Sequence, residues 1–184
     1  MFRPPVFPPL SLAELAQRAK GEAPPLKRRL AALLYEGVLL FGVVMTAGLV
    51  FGIVTDQRHA LHGRQGLQAT LFLVLSMYFI WFWSQGGQTL AMKTWHVRLV
   101  SDQGLPLTLK QATARYLASW LWFLPAVAVA WAAQWHQGRL IGGIMAVWLL
   151  AYAFLSLLLP QRQFLHDLIC RTRVIDTRPL PAPP

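Results

Sequence analysis

The sequence contains only one cysteine, Cys170, among its 184 residues, and only seven acidic residues. A single thiol excludes an intrachain disulfide framework and a zinc cluster built from cysteines. The seven Asp and Glu residues stand against 17 Lys and Arg, so the formal net charge is +10. The amino terminus also lacks the short apolar run of a secretory signal, so nothing in the sequence indicates that a segment is removed.

Charged residues of both signs are scarce. They make up 13% of the chain and hydrophobic residues 55%, whereas an ordinary soluble domain carries about 25% charged residues. The net positive charge alone would suit a nucleic-acid-binding protein, but such a protein presents its Lys and Arg on one face of a folded soluble domain. Here they flank long apolar runs, so the composition predicts a membrane protein whose partner is the lipid bilayer, with no nucleic acid.

Four apolar segments come close to, or exceed, the roughly 20 residues that cross a bilayer as a helix. They predict an all-α membrane protein with four transmembrane helices, at about residues 30–55, 69–84, 116–135 and 140–159. Pro125 lies inside the third segment and predicts a kink there. The chain is thereby divided into a cytoplasmic tail over 1–26, a membrane domain over 27–176 and a proline-rich tail over 177–184.

The Lys and Arg residues are distributed unevenly between the connections. Six precede the first span, four lie in the second connection and four follow the fourth span, whereas the first and third connections hold two and one. Because Lys and Arg are retained on the cytoplasmic side, this pattern predicts a multi-pass protein of the bacterial inner (plasma) membrane with both termini in the cytoplasm. Trp and Tyr residues lie near the ends of the predicted spans, as expected for a membrane interface.

Two stretches outside the predicted spans carry local patterns. In LSLAEL, Ser11 and Glu14 have the spacing of a capping box, which predicts a short amphipathic helix ending near Lys20. This helix either rests on the membrane surface through its leucines or belongs to a loose tail. In the second connection, the alternation in WHVRLV, the turn SDQG and the extended LPLTL predict a small cytoplasmic β-hairpin. The stretch RTRVIDT near the carboxyl end could add a third strand.

The sequence patterns of common enzymes are missing. There is no glycine-rich phosphate loop, HExxH helix or GxSxG elbow, so we predict no catalytic residues, no cofactor and no enzymatic activity. His59, His62 and His136 fall in the outer connections, with Asp56 nearby in the sequence, and could converge on a metal ion. Loop histidines more often face water, so no metal site is predicted.

Glu36 is an acid inside the first predicted span. A charge deep in lipid costs at least about 2.5 kcal/mol, so such groups usually face the bundle, pair with another group or mark a pathway. Arg29 lies seven residues earlier, nearly two helical turns, on the same face and about 10 Å away along the axis. Two interpretations stay open: a buried structural carboxylate held by an arginine or a hydroxyl, and a site that binds ions or protons.

These residues resemble the pattern of the RDD family of bacterial membrane proteins, which is named for an arginine and two aspartates. The pattern has an arginine opening the first span, an aspartate inside it, a loop GxTxGK followed by GLRVVxxDG, and a closing LHDxxAGTxVV. The matching residues are Arg29 or Arg28 at the opening, Gly87, Thr89, Arg98, Val100 and Gly104 in the loop, and Leu165, His166, Asp167, Thr172 and Val174 at the close. The resemblance covers about residues 27–176.

The chain departs from the family pattern at three places. Glu36 replaces the intramembrane aspartate, and His96 replaces a glycine. Ala91 and Met92 occupy the GK positions, with the lysine displaced to Lys93. The resemblance implies a small helical membrane domain whose molecular function is mostly uncharacterised, with transport, including cation or proton exchange, proposed for some members.

Two functional hypotheses follow. In the first, the protein transports ions or small solutes, and Arg29, Glu36 and Asp167 form one polar cluster near the cytoplasmic side. Since four spans are few for a transporter, it would work as a homo-oligomer. In the second, the protein is a structural or accessory subunit bound to other membrane proteins, without transport activity, and the cluster locks its helices together. The other motif residues with a predicted role are Arg28, Thr89, Lys93, Arg98 and His166.

Overall fold

The computed structural model describes residues 10–55 and 64–178, and these residues form eight α-helices, two strands and two short 3-10 turns. In chain order the elements are α1 (Leu12–Ala19), α2 (Leu26–Val54), α3 (Arg64–Gln85), α4 (Leu90–Thr94), β1 (Val97–Ser101), α5 (Leu109–Ser119), a 3-10 turn (Trp120–Trp122), α6 (Leu124–Ala132), α7 (Gly138–Leu158), a 3-10 turn (Pro160–Arg162), α8 (Leu165–Ile169) and β2 (Thr172–Asp176).

Three of the helices in the described part of the chain, α2, α3 and α7, are long and apolar enough to cross a membrane. Large apolar side chains on these helices point away from the protein: Leu34 is 74% exposed, Ile53 71% and Leu158 85%. A soluble protein rarely exposes so much contiguous apolar surface. These helices therefore have the surface of a membrane protein, and they coincide with the first, second and fourth predicted spans.

The predicted third span is not one continuous helix. Helix α5 ends at Ser119, a 3-10 turn follows, and α6 begins at Leu124 after the non-helical Phe123 (φ −125°, ψ −45°). Pro125 occupies the first turn of α6, where its missing N–H breaks no helical bond, whereas deeper in a helix its ring would clash with the preceding turn. The predicted kink is confirmed. At nine residues, α6 is about 14 Å long, less than half the hydrocarbon thickness, so the third predicted span, and with it the count of four, stays a prediction.

The sheet differs from the predicted hairpin. Strand β1 pairs antiparallel with β2, with Val97 opposite Asp176, and the stretch 105–108 is not a strand. The hairpin prediction was wrong because Pro106 has no N–H to donate to a strand ladder and Thr108 caps α5 in a reciprocal capping box with Gln111. The stretch that was expected to add a third strand is the actual partner of β1.

Two glycines allow close backbone approaches around this sheet. Gly87 has φ +68°, and a Cβ there would lie 2.3 Å from the carbonyl oxygen of Leu99. Gly104 has φ +80°, and a Cβ there would lie 2.3 Å from the Cα of Ala16 in α1. Only glycine fits both the left-handed backbone and the missing space. Gly87 therefore allows the segment before α4 to pack against β1, and Gly104 allows the turn after β1 to pack against α1.

Helix α1 lies on the sheet. The predicted capping box is confirmed, since Ser11 and Glu14 exchange side-chain and backbone hydrogen bonds. Leu15 and Ala19 are buried against Val100 and Ile175, so this face of α1 packs on the sheet, whereas Leu12 stays exposed. Contact of α1 with the membrane surface stays a prediction. The sheet, α1 and α8 thus form a small unit at one end of the helices.

Candidate functional site

Glu36 is buried at the meeting point of three helices. It lies in the third turn of α2 and is only 5% exposed. Its carboxylate accepts hydrogen bonds from the Tyr78 hydroxyl of α3, at 2.7 Å, and from the Thr89 hydroxyl. Thr89 also caps α4, because its Oγ1 accepts from the backbone N–H of Met92 at 3.2 Å. One carboxylate therefore joins α2, α3 and the start of α4.

No cation balances Glu36 within the described residues: none of the ion pairs formed there includes its carboxylate. Both hydrogen-bond donors are neutral hydroxyls, which stabilise a carboxylate without cancelling its charge. A buried charge without a counterion is costly. Within the described residues, Glu36 is therefore held by two hydroxyl groups and by no charged side chain.

Asp167 belongs to a second, separate network. It is completely buried in α8, and its Oδ1 accepts from Arg115 Nε at 2.7 Å and from the Thr172 hydroxyl at 3.2 Å. Its Oδ2 is buried without a partner in the part of the chain that the structure describes. Burial alone would raise the pKa of the Asp167 carboxyl, but the adjacent Arg115 guanidinium more than offsets this and holds that pKa below its usual value.

His166 extends the Asp167 network toward α7. Its Nδ1 lies 2.9 Å from the Tyr152 hydroxyl and its Nε2 3.3 Å from Arg115 Nη2. Burial lowers the pKa of His166 to about 4, so the ring is neutral at pH 7. Because a guanidinium can only donate, Nε2 must accept from Arg115 and Nδ1 must carry the proton that is donated to Tyr152. The network thus has a defined donor direction.

Arg29 lies close to the Asp167 network without bonding to it. The residue is 5% exposed, and its Nη2 donates to the Ser156 hydroxyl at 3.3 Å. Its guanidinium carbon stacks 4.2 Å from the centroid of the Phe164 ring. Its Nε and Nη1 are buried and have no hydrogen-bond partner among residues 10–55 and 64–178. Arg29 is therefore a buried cation with unused donors.

A cavity of about 500 Å³ lies between Glu36, Arg29 and the Asp167 network. Its polar lining includes Arg29, Glu36, Arg115 and His166, and the rest of the lining is mainly aliphatic and aromatic side chains from α2, α3, α5, α7 and the sheet. A volume of this size is in the range of small-molecule sites, which combine apolar walls with a few polar groups. The cavity can hold a ligand with both an apolar and a charged part.

The predicted polar cluster is divided by the fold. Arg29 and Glu36 line the same cavity, but they use different partners, and Asp167 is bonded to Arg115. Among the other motif residues, Thr89 and His166 belong to the two networks described above. Arg28 makes a bidentate pair with Asp176, at 3.0 and 2.5 Å.

Two further motif residues lie outside both networks. Lys93 is exposed in the last turn of α4. Arg98 lies half-buried in β1, and burial lowers the pKa of its guanidinium. Of the residues considered for a metal site, His136 is exposed, whereas Asp56, His59 and His62 lie outside the described residues.

Sequence reasoning named Thr89 as a motif residue but missed the other partners of the motif acids. Arg115, which neutralises Asp167, was counted only as a topology signal. Tyr78, Tyr152 and Ser156 were not singled out, although each donates to or accepts from a buried charged or titratable side chain. The usable signal was the presence of hydroxyls in otherwise apolar spans, because a buried carboxylate must find donors.

The structure shows the backbone at one departure from the RDD pattern. His96 stands where that pattern has glycine, and it adopts left-handed backbone, with φ of 52°. Glycine takes this conformation without strain, whereas other residues do so at a cost. At this position the chain therefore has the backbone conformation that glycine favours, although the residue is histidine.

A comparison with known protein families finds a match. The model of the RDD family matches residues 23–171, which is most of the chain and includes Arg29, Glu36, Thr89 and Asp167. No curated protein and no solved structure matches the chain.

Proposed function

This chain belongs to the RDD family, and from that premise we propose that it is an integral membrane protein that transports ions or small solutes, with Glu36 as the group that exchanges a proton or a cation. The observation that supports this proposal most directly is the environment of Glu36. It is a buried carboxylate in a membrane-type helix, with two hydroxyl donors and no counterion among the described residues. Such a group can change its occupancy without breaking an ion pair.

The sequence and the cavity support the same assignment. Glu36 is the only Asp or Glu within the four predicted spans, and intramembrane acids commonly mark ion or proton pathways. It also lines the cavity of about 500 Å³, so the carboxylate borders a space that an ion, water or solute could enter. No catalytic motif competes with this role.

The proposal includes a topology and an assembly. We propose four spans, with α5 to α6 forming the broken third one, both termini in the cytoplasm and a location in the bacterial inner membrane. The uneven distribution of Lys and Arg between the connections supports this orientation. A homo-oligomer would supply the additional helices that a transport pathway needs.

Flux measurements on purified protein in liposomes test the transport role. With a pH-sensitive dye inside, we expect addition of Na⁺ or K⁺ to the wild-type protein to dissipate an imposed pH gradient. We expect Glu36→Gln, which cannot ionise but keeps an acceptor oxygen, to reduce this flux by about tenfold or more. The matched control is Glu22→Gln, which removes an exposed carboxylate paired with Arg162 at 3.3 Å and should leave flux unchanged.

Either of two results would refute the transport proposal. One is the absence of cation-dependent proton flux in the wild-type protein at a protein density where the liposomes are shown to contain folded protein. The other is a Glu36→Gln variant with wild-type flux. Size-exclusion profiles of each variant in detergent establish that the compared proteins are folded.

A structural or accessory role is the second candidate, and the bonding of Glu36 to two other helices favours it. If Glu36 mainly holds α2, α3 and α4 together through its hydrogen bonds, Glu36→Ala should strongly lower the folded yield, while Glu22→Ala should not. This role also requires a stoichiometric membrane-protein partner after affinity purification from native membranes. Recovery of the protein alone, together with normal yield of Glu36→Ala, would exclude it.

A further inference from the structure

We propose that the cavity beside Arg29 binds an anionic phospholipid, with the phosphate of the headgroup on the Arg29 guanidinium and one acyl chain along the apolar walls. This inference goes beyond the proposed transport function and does not depend on it. It rests on three observations: the unused donors of Arg29, the position of Arg29 at the start of a span, and the shape of the cavity.

The unused donors of Arg29 call for an oxyanion. A guanidinium offers five N–H groups, and burying a charged donor without a partner is expensive. Ser156 accepts one long hydrogen bond of 3.3 Å, whereas Nε and Nη1 have no partner in the described part of the chain. Phosphate oxygens match the geometry of a guanidinium fork and would form the strong, charge-assisted bonds that are missing.

The charges near Arg29 leave a positive excess at this end of the cavity. Arg29 and Arg115 are both buried there, and among the described residues one carboxylate, Asp167, lies close to them and is bonded to Arg115. The neighbouring His166 is neutral at pH 7. Glu36 lies about 10 Å further along α2, with its oxygens engaged by two hydroxyls, so it does not occupy the donors of Arg29.

The position of Arg29 matches the depth of a phospholipid headgroup. It lies in the first turns of α2, next to the exposed Lys27, while the apolar part of the helix follows. The start of a helix is also its positive end, which favours an anion. Basic pockets between transmembrane helices on the cytoplasmic side are a recurring form of anionic lipid site, and our proposed orientation places this end of α2 in the cytoplasmic leaflet.

The rest of the cavity suits a hydrocarbon chain. Phe79, Trp83 and Leu149 are among its apolar walls. At its rim on α2, Leu33 is 50% exposed and Gly37 is also exposed, so the space opens sideways, where lipid would surround the helix. A lipid could therefore enter from the bilayer with its headgroup remaining at the surface.

Native mass spectrometry of the detergent-purified protein tests the proposal. The protein is titrated with phosphatidylglycerol, with phosphatidylcholine carrying the same acyl chains, and with oleate. Both phospholipids can place a phosphate on Arg29, but the choline cation of phosphatidylcholine would lie near the positive charges of Arg29 and Arg115. We therefore expect one phosphatidylglycerol to bind at least about tenfold more tightly than phosphatidylcholine, a difference of about 1.4 kcal/mol. Equal binding of the two phospholipids, or tighter binding of oleate than of phosphatidylglycerol, would overturn the assignment.

Two pairs of variants locate the site. Arg29→Gln should weaken phosphatidylglycerol binding about tenfold, whereas Lys27→Gln, which removes an exposed charge from the same turn, should change it less than about twofold. Because Arg29→Gln could impair folding, Gly37→Phe provides a second arm: it fills the cavity from a position where an added Cβ meets nothing within 4 Å. Gly42→Phe, equally open but outside the cavity, is its control.

The variant results have defined meanings. Loss of phosphatidylglycerol binding in Gly37→Phe but not in Gly42→Phe supports the site. Unchanged binding in Gly37→Phe, or an equal loss in both members of either pair, refutes it. Since lipid binding is measured in detergent and flux in liposomes, a protein without transport activity can still show the lipid site, and the two proposals fail separately.

Discussion

Replacing Asp167 by Asn is expected to be one of the most damaging single changes outside the membrane spans. Asp167 has no exposed surface and Arg115 is 8% exposed, so the 2.7 Å contact between them is shielded from water. The substitution keeps the shape and one acceptor oxygen but removes the charge. Arg115 then remains as a buried cation next to neutral groups: the acceptor oxygen of the asparagine, the Trp83 ring 4.3 Å from its guanidinium carbon, and His166.

The size of the effect follows from burial. Removing one partner of a buried ion pair costs about 3–5 kcal/mol, and because Asn retains an acceptor we expect the lower end, about 3 kcal/mol. For a chain of this length, about 1 kcal/mol shifts Tm by roughly 2–4 °C, so the expected loss is about 6–12 °C. Glu22→Gln, at the exposed pair with Arg162, should cost less than about 1 kcal/mol.

The assay is the fraction of protein that stays monodisperse in size-exclusion chromatography after heating in detergent, for wild type and both variants. A rescue arm tests the cause: Asp167→Leu combined with Arg115→Met removes both charges, and such apolar replacements are often neutral. The double variant should therefore recover most of the loss. The reasoning is refuted if Asp167→Asn melts within error of Glu22→Gln, or if the double variant is no more stable than Asp167→Asn.

Two further predictions concern pH and orientation. His166 has a folded-state pKa of about 4, against an ordinary value of 6.5. As the pH falls, the unfolded chain therefore binds a proton at this residue before the folded protein does. The free energy of unfolding should be highest above about pH 6.5 and fall by about 3 kcal/mol toward pH 4. Thermal melts over this range should lose that slope in His166→Gln and keep it in His136→Gln; a slope that survives in both would contradict the assignment. An alkaline phosphatase fused after Thr177 should be inactive and one inserted at Gly63 active, and the reverse pattern would overturn the proposed orientation.

The local elements of the fold were predictable because their signals lie within a few residues of each other. Ser11 with Glu14 formed the expected capping box, and Pro125 interrupted the third apolar segment as expected. The hairpin prediction failed because the alternation in LPLTL was taken as a strand although Pro106 has no N–H for a strand ladder. Alternation of apolar and polar residues alone does not distinguish a strand from an extended segment that precedes a helix.

The acids of the candidate site were identified from the sequence, but most of their hydrogen-bond partners were not. The pattern of the family located Glu36 and Asp167, and burial made donors necessary for both. Which residues would supply them did not follow from spacing, because Tyr78 and Thr89 lie 42 and 53 residues from Glu36, and Arg115 lies 52 residues from Asp167. Many hydroxyls and arginines were equally available in the sequence.

The sequence by itself determined that this protein has membrane-type helices, which orientation its Lys and Arg residues favour, and where α1 starts, because hydrophobicity, charge and capping act locally along the chain. Only the tertiary structure decided that β2 completes the sheet, that Arg29, Glu36 and Asp167 separate into different contacts, and that Arg29 faces a cavity with unused donors. Those outcomes depend on which distant segments pack together, and a buried polar group takes the partner that packing brings within about 3 Å.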